Sequence, residues 1–142
     1  MKPVRVGLLG IGTVGSGVFT VLSRNAAEIA RRAGRSIELV AVADLDIERA
    51  QKIVGAGVKV VGDAQQLIDD ASIDVVIELI GGYGIAKKLV LAAIAAGKHV
   101  VTANKALLAV HGSEIFAAAE AKGVIVAFEA SVAGGIPIIK AL

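Results

Sequence analysis

The 142-residue chain carries 15 Lys and Arg against 13 Asp and Glu, a net charge of +2, and 56% of its residues are hydrophobic. That composition excludes a disordered or highly charged polypeptide. The lack of cysteine excludes a disulfide framework, a thiolate zinc site and a thiol nucleophile.

Apolar stretches such as Leu89–Gly97 stop short of the ~20 residues that span a bilayer. Met1-Lys2-Pro3 leads straight into strand-like sequence with no small-residue cleavage region, so the expectation is one soluble, cytoplasmic domain. Aromatic residues make up only 3%, which leaves Val, Ile, Leu and Ala to build the core. Such a mixture suits strands buried on both faces beneath Ala-rich helices. The densest basic group, Arg31, Arg32 and Arg35, falls at a helix end where cations meet the helix dipole favourably. With almost no aromatic side chains to stack bases, the expectation is no nucleic-acid partner and no membrane.

In chain order, Val4–Leu9 reads as a buried strand running into glycines. A helical pattern follows from about Thr13 to Ala33, with Val14, Val18, Val21, Leu22 and Ile29 on its apolar steps and Gly34 closing it. Ile37–Ala43 is a second strand and Asp46–Val54 a helix, with Asp46 or Asp44 as its cap. Lys59–Val61 is a short strand, Ala64–Asp69 a short helix and Asp74–Ile80 another strand. Ala86–Ala96 reads as a helix, His99–Thr102 as a strand, Ser113–Ala121 as a helix and Val124–Phe128 as the last strand. Alternating helices and wholly apolar strands predict a mainly parallel sheet, doubly wound, with helices on both faces and right-handed crossovers.

Gly10-Ile11-Gly12-Thr13-Val14-Gly15 fits G-x-G-x-x-G between the first strand and the first long helix, the context of a Rossmann-type dinucleotide site. Gly10 permits the tight turn, Gly12 admits a pyrophosphate to the backbone, and Gly15 lets helix and strand pack closely. Free N–H groups near Thr13 and Val14 would hold the phosphates. Such a loop also serves, in other chains, as a plain turn. Asp44 stands at the end of the second strand, 29 residues beyond Gly15. A carboxylate there accepts both adenosine-ribose hydroxyls and repels a 2′-phosphate, although Asp44 also suits as a helix cap. Arg49, Lys52 and Lys59 lie downstream for a 2′-phosphate, so NAD is only moderately preferred over NADP.

Ligands of an open parallel sheet collect beyond the carboxyl ends of its strands. Three such ends stand out: Glu78-Leu79-Ile80-Gly81-Gly82-Tyr83, Thr102-Ala103-Asn104-Lys105, and Glu129-Ala130-Ser131-Val132-Ala133-Gly134-Gly135-Ile136-Pro137. Ile80, Gly81 and Thr102 are expected to line the cofactor. Lys105 is expected both to line it and to polarise a carbonyl or stabilise an alkoxide, the alternative being a surface lysine that starts a helix. His99, on the far side of the sheet, reads as structural. His111 has no obvious partner, and no second His or Cys stands near it to make a transition-metal site.

Taken together, Gly7–Gly15, Thr102–Ala109 and Glu129–Pro137 resemble homoserine dehydrogenase over essentially the whole chain. The resemblance implies NAD(P)-dependent interconversion of L-homoserine and L-aspartate 4-semialdehyde, on the route to threonine, methionine and isoleucine. It implies that Lys105 lies at the reacting centre, with a second lysine of a following domain as proton donor. It also implies a monovalent cation, sodium, held chiefly by carbonyl oxygens of Glu129, Val132, Gly134 and Ile136, hard donors suited to that ion. A simple hinge is the other reading of that loop. Family members continue into a substrate-binding and dimerisation domain. Residues 1–142 are therefore expected to form the NAD(P)-binding domain alone, which binds dinucleotide but turns over little, while the intact enzyme is a homodimer. Competing readings are the cofactor domain of an aspartate dehydrogenase or dihydrodipicolinate reductase, and a non-catalytic nucleotide sensor.

Overall fold

The computed structural model describes residues 2–136. Six strands, β1 (Val4–Leu9), β2 (Ile37–Ala43), β3 (Lys59–Val61), β4 (Val75–Glu78), β5 (His99–Thr102) and β6 (Val126–Ala127), form one sheet in the order β3-β2-β1-β4-β5-β6. Every pairing is parallel. The helices are α1 (Thr13–Arg24), α2 (Ala26–Ala33), α3 (Ile47–Val54), α4 (Ala64–Asp69), α5 (Gly84–Ala95) and α6 (Lys105–Lys122). Two short 3₁₀ turns follow at Glu129–Ser131 and Ala133–Gly135. Among the described residues no helix is long and apolar enough to cross a membrane.

The period of two along each strand sends successive side chains to opposite faces, and the two apolar layers follow from it. Leu8 and Val42 are fully buried with Ile11, Ala50, Val54 and Val58 on the face covered by α1 and α3. Leu9, Ala41, Ala43 and Val76 face the other way, into the larger layer roofed by α4, α5 and α6. Gly7 makes the second layer possible. A β-carbon there would lie 2.4 Å from a methyl of Leu67, so α4 packs directly on the strand backbone.

Several boundaries differ from those the periodicity suggests. The helix expected from Thr13 to Ala33 is two helices, broken at Asn25 (φ −104°, ψ 18°), although the apolar steps run on across the break. The last helix begins at Lys105 rather than Ser113, because Asn104 caps it by accepting the Leu107 N–H at 3.0 Å. Gly112 is buried inside that helix. Strand β4 is trimmed to Val75–Glu78 and β6 to two residues. Asp46, not Asp44, is the cap of α3, accepting the Arg49 N–H at 3.0 Å.

At the amino edge of the sheet two polar side chains are structural. His99 Nδ1 accepts the Ile125 N–H at 3.0 Å, tying β5 to the approach of β6. Lys98 is 4% exposed and donates from Nζ to the carbonyls of Asp70 (2.7 Å) and Ile73 (2.8 Å). Burial pulls the Lys98 pKa below the usual lysine value, opposed by the charges of Asp70, Asp74 and Asp69. His111 does have neighbours: the Glu114 carboxylate at 3.9 Å and the Tyr83 ring at 6.2 Å between centroids.

Candidate functional site

In the order β3-β2-β1-β4-β5-β6 the connections run one way from β1 and the other way from β4. The crevice between these two strands, at their carboxyl ends, is the switch point at which such sheets bind ligands. A cleft of about 590 Å³ opens there, lined among others by Gly10, Gly12, Asp44, Asp63, Ile80 and Ile85.

The floor of the cleft is the turn from β1 into α1. Gly10 has φ +88°, a left-handed conformation that glycine adopts without strain. Its N–H donates to the Ala43 carbonyl at 2.9 Å. Gly12 precedes the helix, and a β-carbon there would meet nothing within 4 Å, so the space above it is open. Gly15 is the opposite case. A β-carbon on it would lie 2.2 Å from the Gly10 carbonyl oxygen, which is backbone and cannot swing aside. The first intrahelical bond of α1 runs from the Ser16 N–H to the Gly12 carbonyl at 2.9 Å. The N–H groups of Thr13, Val14 and Gly15 therefore have no acceptor within the helix, and no side chain caps it. Aligned peptide dipoles add partial positive charge at that end, which favours an anion.

Asp44 is engaged differently from the sequence expectation. Its Oδ2 accepts the Ile11 N–H at 2.8 Å and its Oδ1 accepts the Asp46 N–H at 2.9 Å. The carboxylate thus fixes the glycine turn from across the β1–β2 pair, and it still lines the cleft. Arg49 completes the clamp, donating from Nη2 to the Ile11 carbonyl at 3.2 Å. Ile11, expected to touch a cofactor, is fully buried in the core, with its N–H and carbonyl both used in this way.

On the other side of the switch point, Gly81 and Gly82 take φ +81° and +66°, so the chain leaves β4 through two left-handed residues beside Ile80, which lines the cleft. Thr102 is fully buried. Its hydroxyl donates to Glu78 Oε2 at 2.7 Å and accepts the Asn104 N–H at 3.0 Å, so it supports the site without reaching into it. Lys105 opens α6 directly after Asn104 and is exposed. It is two strands from β1, about 10 Å along the sheet edge at the usual strand spacing, and is not among the residues lining the cleft.

In the last loop, Glu129, Val132, Gly134 and Ile136 fall on the two 3₁₀ turns and just after them. Ala133 and Gly134 are successive left-handed residues (φ +56° and +55°). Ser131 anchors the loop, its Oγ donating to the Thr102 carbonyl at 2.8 Å. Pro137 lies outside the described residues.

Six residues that line the cleft were not expected from the sequence: Leu45, Gly62, Asp63 and Ala64, which follow β2 and β3, and Ile85 and Leu89 on α5. Gly62-Asp63 directly follows β3, so the rule that ligands collect at strand ends would have found it. Glu78 was in view only as part of a segment. Its signal is a charged residue closing an otherwise apolar strand.

Strand order, an uncapped helix above a glycine turn, and a cleft across the switch point define a dinucleotide-binding α/β domain. Residues 10–129 match the family model described as "Homoserine dehydrogenase, NAD binding domain", and the chain belongs to that family. Over its whole length it is 61% identical to a homoserine dehydrogenase of Pseudomonas aeruginosa and 58% identical to one of Neisseria gonorrhoeae, covering 32% of each. A crystal structure of a homoserine dehydrogenase from Thiobacillus denitrificans superimposes with a TM-score of 0.94 at 59% identity, over 99% of this chain and 32% of that one. The chain spans about a third of the length of the relatives it matches.

A Gly15→Ala substitution places a β-carbon against immovable backbone, so α1 must lift from β1. The expected outcome is a loss of about 1–3 kcal/mol in stability, read by urea denaturation, with the glycine turn opened as well. An unchanged midpoint would contradict the close packing of Gly15 on Gly10.

Proposed function

We propose that residues 1–142 act as the NAD(P)-binding domain of an enzyme that interconverts L-homoserine and L-aspartate 4-semialdehyde. Family membership supports this reading, and one structural observation carries it: the uncapped N–H groups of Thr13, Val14 and Gly15 above an open Gly12. In it, the cofactor's diphosphate accepts hydrogen bonds at that helix end, and Gly10, Gly12 and Gly15 keep the approach clear. The adenosine half lies over β2 and β3, against Asp44, Gly62 and Asp63. Each Asp44 oxygen keeps a second lone pair beyond its backbone N–H, free for a ribose hydroxyl. The nicotinamide half lies over β4 and β5, against Ile80 and Gly81.

When bound, the cofactor would supply a hydride to the aldehyde carbon of the semialdehyde or accept one from homoserine. The chain's own part is to orient and to stabilise charge. Lys105, at the start of α6, would donate a hydrogen bond to the substrate oxygen as negative charge gathers there. The proton that completes the alcohol comes from outside residues 1–142, by the family resemblance from a lysine of the following domain, which also serves dimerisation.

A monovalent cation, sodium by the same resemblance, would sit on the loop of Glu129, Val132, Gly134 and Ile136. The donor chemistry fits: carbonyl oxygens are hard ligands. The paired left-handed residues Ala133 and Gly134 turn the backbone sharply where a carbonyl ring needs such a turn.

On cofactor choice, Asp44 sets a negative charge at the adenosine-ribose end and favours NAD. Arg49 favours a second reading, in which its guanidinium, held 3.2 Å from the Ile11 carbonyl, receives a 2′-phosphate. Calorimetric titration separates the two: NADH is expected to bind saturably with one site and more tightly than NADPH. Much tighter NADPH binding would overturn the role given to Asp44, and binding of neither would overturn the function. In the full-length enzyme, Lys105→Ala is expected to lower turnover by about 10²–10³-fold, the range for removing one donor that stabilises developing negative charge, while NADH affinity stays within twofold. Undiminished turnover would remove Lys105 from the reaction.

A further inference from the structure

We infer that Glu78 is a positioning residue for the nicotinamide half of the cofactor site, acting through two loops that it holds in register. The inference rests on the proposed dinucleotide function. Glu78 ends β4 with no exposed surface. Its Oε1 accepts the N–H groups of Ile80 (2.9 Å) and Gly81 (3.3 Å), and its Oε2 accepts the Thr102 hydroxyl at 2.7 Å.

Two loops take their shape from this one group. By gathering the Ile80 and Gly81 N–H groups, the carboxylate sets the turn that carries the chain into left-handed Gly81 and Gly82, with Ile80 at the cleft. That turn in turn abuts the glycine loop: a β-carbon on Gly10 would lie 3.1 Å from the Leu79 carbonyl oxygen and 3.4 Å from Ile80 Cα. Through Thr102 the same carboxylate reaches the start of α6. Thr102 Oγ1 accepts the Asn104 N–H at 3.0 Å, and Asn104 caps the helix through Leu107 while donating from Nδ2 to the Gly82 carbonyl. The path closes on itself, from Glu78 through Thr102 and Asn104 to Gly82. Lys105 is the next residue along. Ser131, donating to the Thr102 carbonyl, ties in the third strand end.

The direction of these bonds requires a group that only accepts. Every polar partner of Glu78 is a donor: two amide N–H groups at one oxygen and a hydroxyl at the other. Thr102 Oγ1 takes the Asn104 N–H on one lone pair and gives its own proton to Glu78. A glutamine of the same shape either sets its NH₂ against the two amide N–H groups or turns it to Thr102, whose hydroxyl proton then loses its acceptor, so a buried hydrogen bond is lost either way. Glu78 itself touches no ligand, since it is wholly enclosed.

The test sets NADH against ADP, which lacks the nicotinamide half. In this chain, E78Q is expected to raise the Kd for NADH about tenfold and to leave that for ADP within about twofold. A general loosening of the fold would weaken both. Thr102→Val cuts the same path from its other end and leaves the carboxylate in place, and the same selective loss is expected from it should E78Q not fold. If the unsubstituted chain binds both ligands and the variants weaken both equally, or neither, the positioning role is overturned. If the unsubstituted chain binds neither ligand, the function proposed above falls first and this inference with it.

Discussion

Helix α1 begins without a cap. A helix start normally recruits a Ser, Thr, Asp or Asn side chain to its free N–H groups, an interaction worth about 0.5–2 kcal/mol. Asp46, Asp63 and Asn104 each do this for α3, α4 and α6, whereas α2 and α5, like α1, start without a side-chain cap. At α1 the equivalent position is Gly12, with no side chain at all and open space above it. The donors are left for something outside the protein, and an anion is what they suit best. The surrounding structure holds that helix start in place. Gly15 seats the helix on β1, Asp44 pins the Ile11 N–H, and Arg49 pins the Ile11 carbonyl.

Two carboxylates organise the two halves of the site by the same device. Each stands at or just past the end of a strand, and each gathers backbone N–H groups of a neighbouring turn. Asp44 does so beside β2, reaching across to the turn after β1. Glu78 does so at the end of β4, folding its own following turn and bridging to β5 through Thr102. The difference between them is exposure. Asp44 retains a face on the cleft, which suits it to meet a ribose, whereas Glu78 is sealed beneath the surface and acts only through what it holds.

Much of this was legible in the sequence because the signals are local. The runs Val4–Leu9, Lys59–Val61 and His99–Thr102 are short, β-branched and bounded by turn residues, and they are strands as read. The glycine turn announces itself by spacing and by its place between a strand and a helix. The misses arise where the local pattern is silent. The apolar steps of α1 continue through Asn25, so periodicity could not show the break there. Gly112, a residue type that usually interrupts helices, lies inside α6, so the pattern points to a start at Ser113 although Asn104 is an ordinary cap. Ile11 and Thr102 lie in the motifs that point to a cofactor, and both side chains are buried. Which atoms of a motif face outward depends on partners 33 and 24 residues away, Asp44 and Glu78, and no spacing rule reveals that.

A diphosphate seated at the start of α1 is the contact on which the dinucleotide function depends. A crystal structure of the chain with NADH bound tests it most directly. Phosphate oxygens are expected within about 2.7–3.2 Å of the Thr13 and Val14 amide nitrogens, with the Asp44–Ile11 bond intact. A diphosphate bound elsewhere, with those amides facing only water, would contradict it.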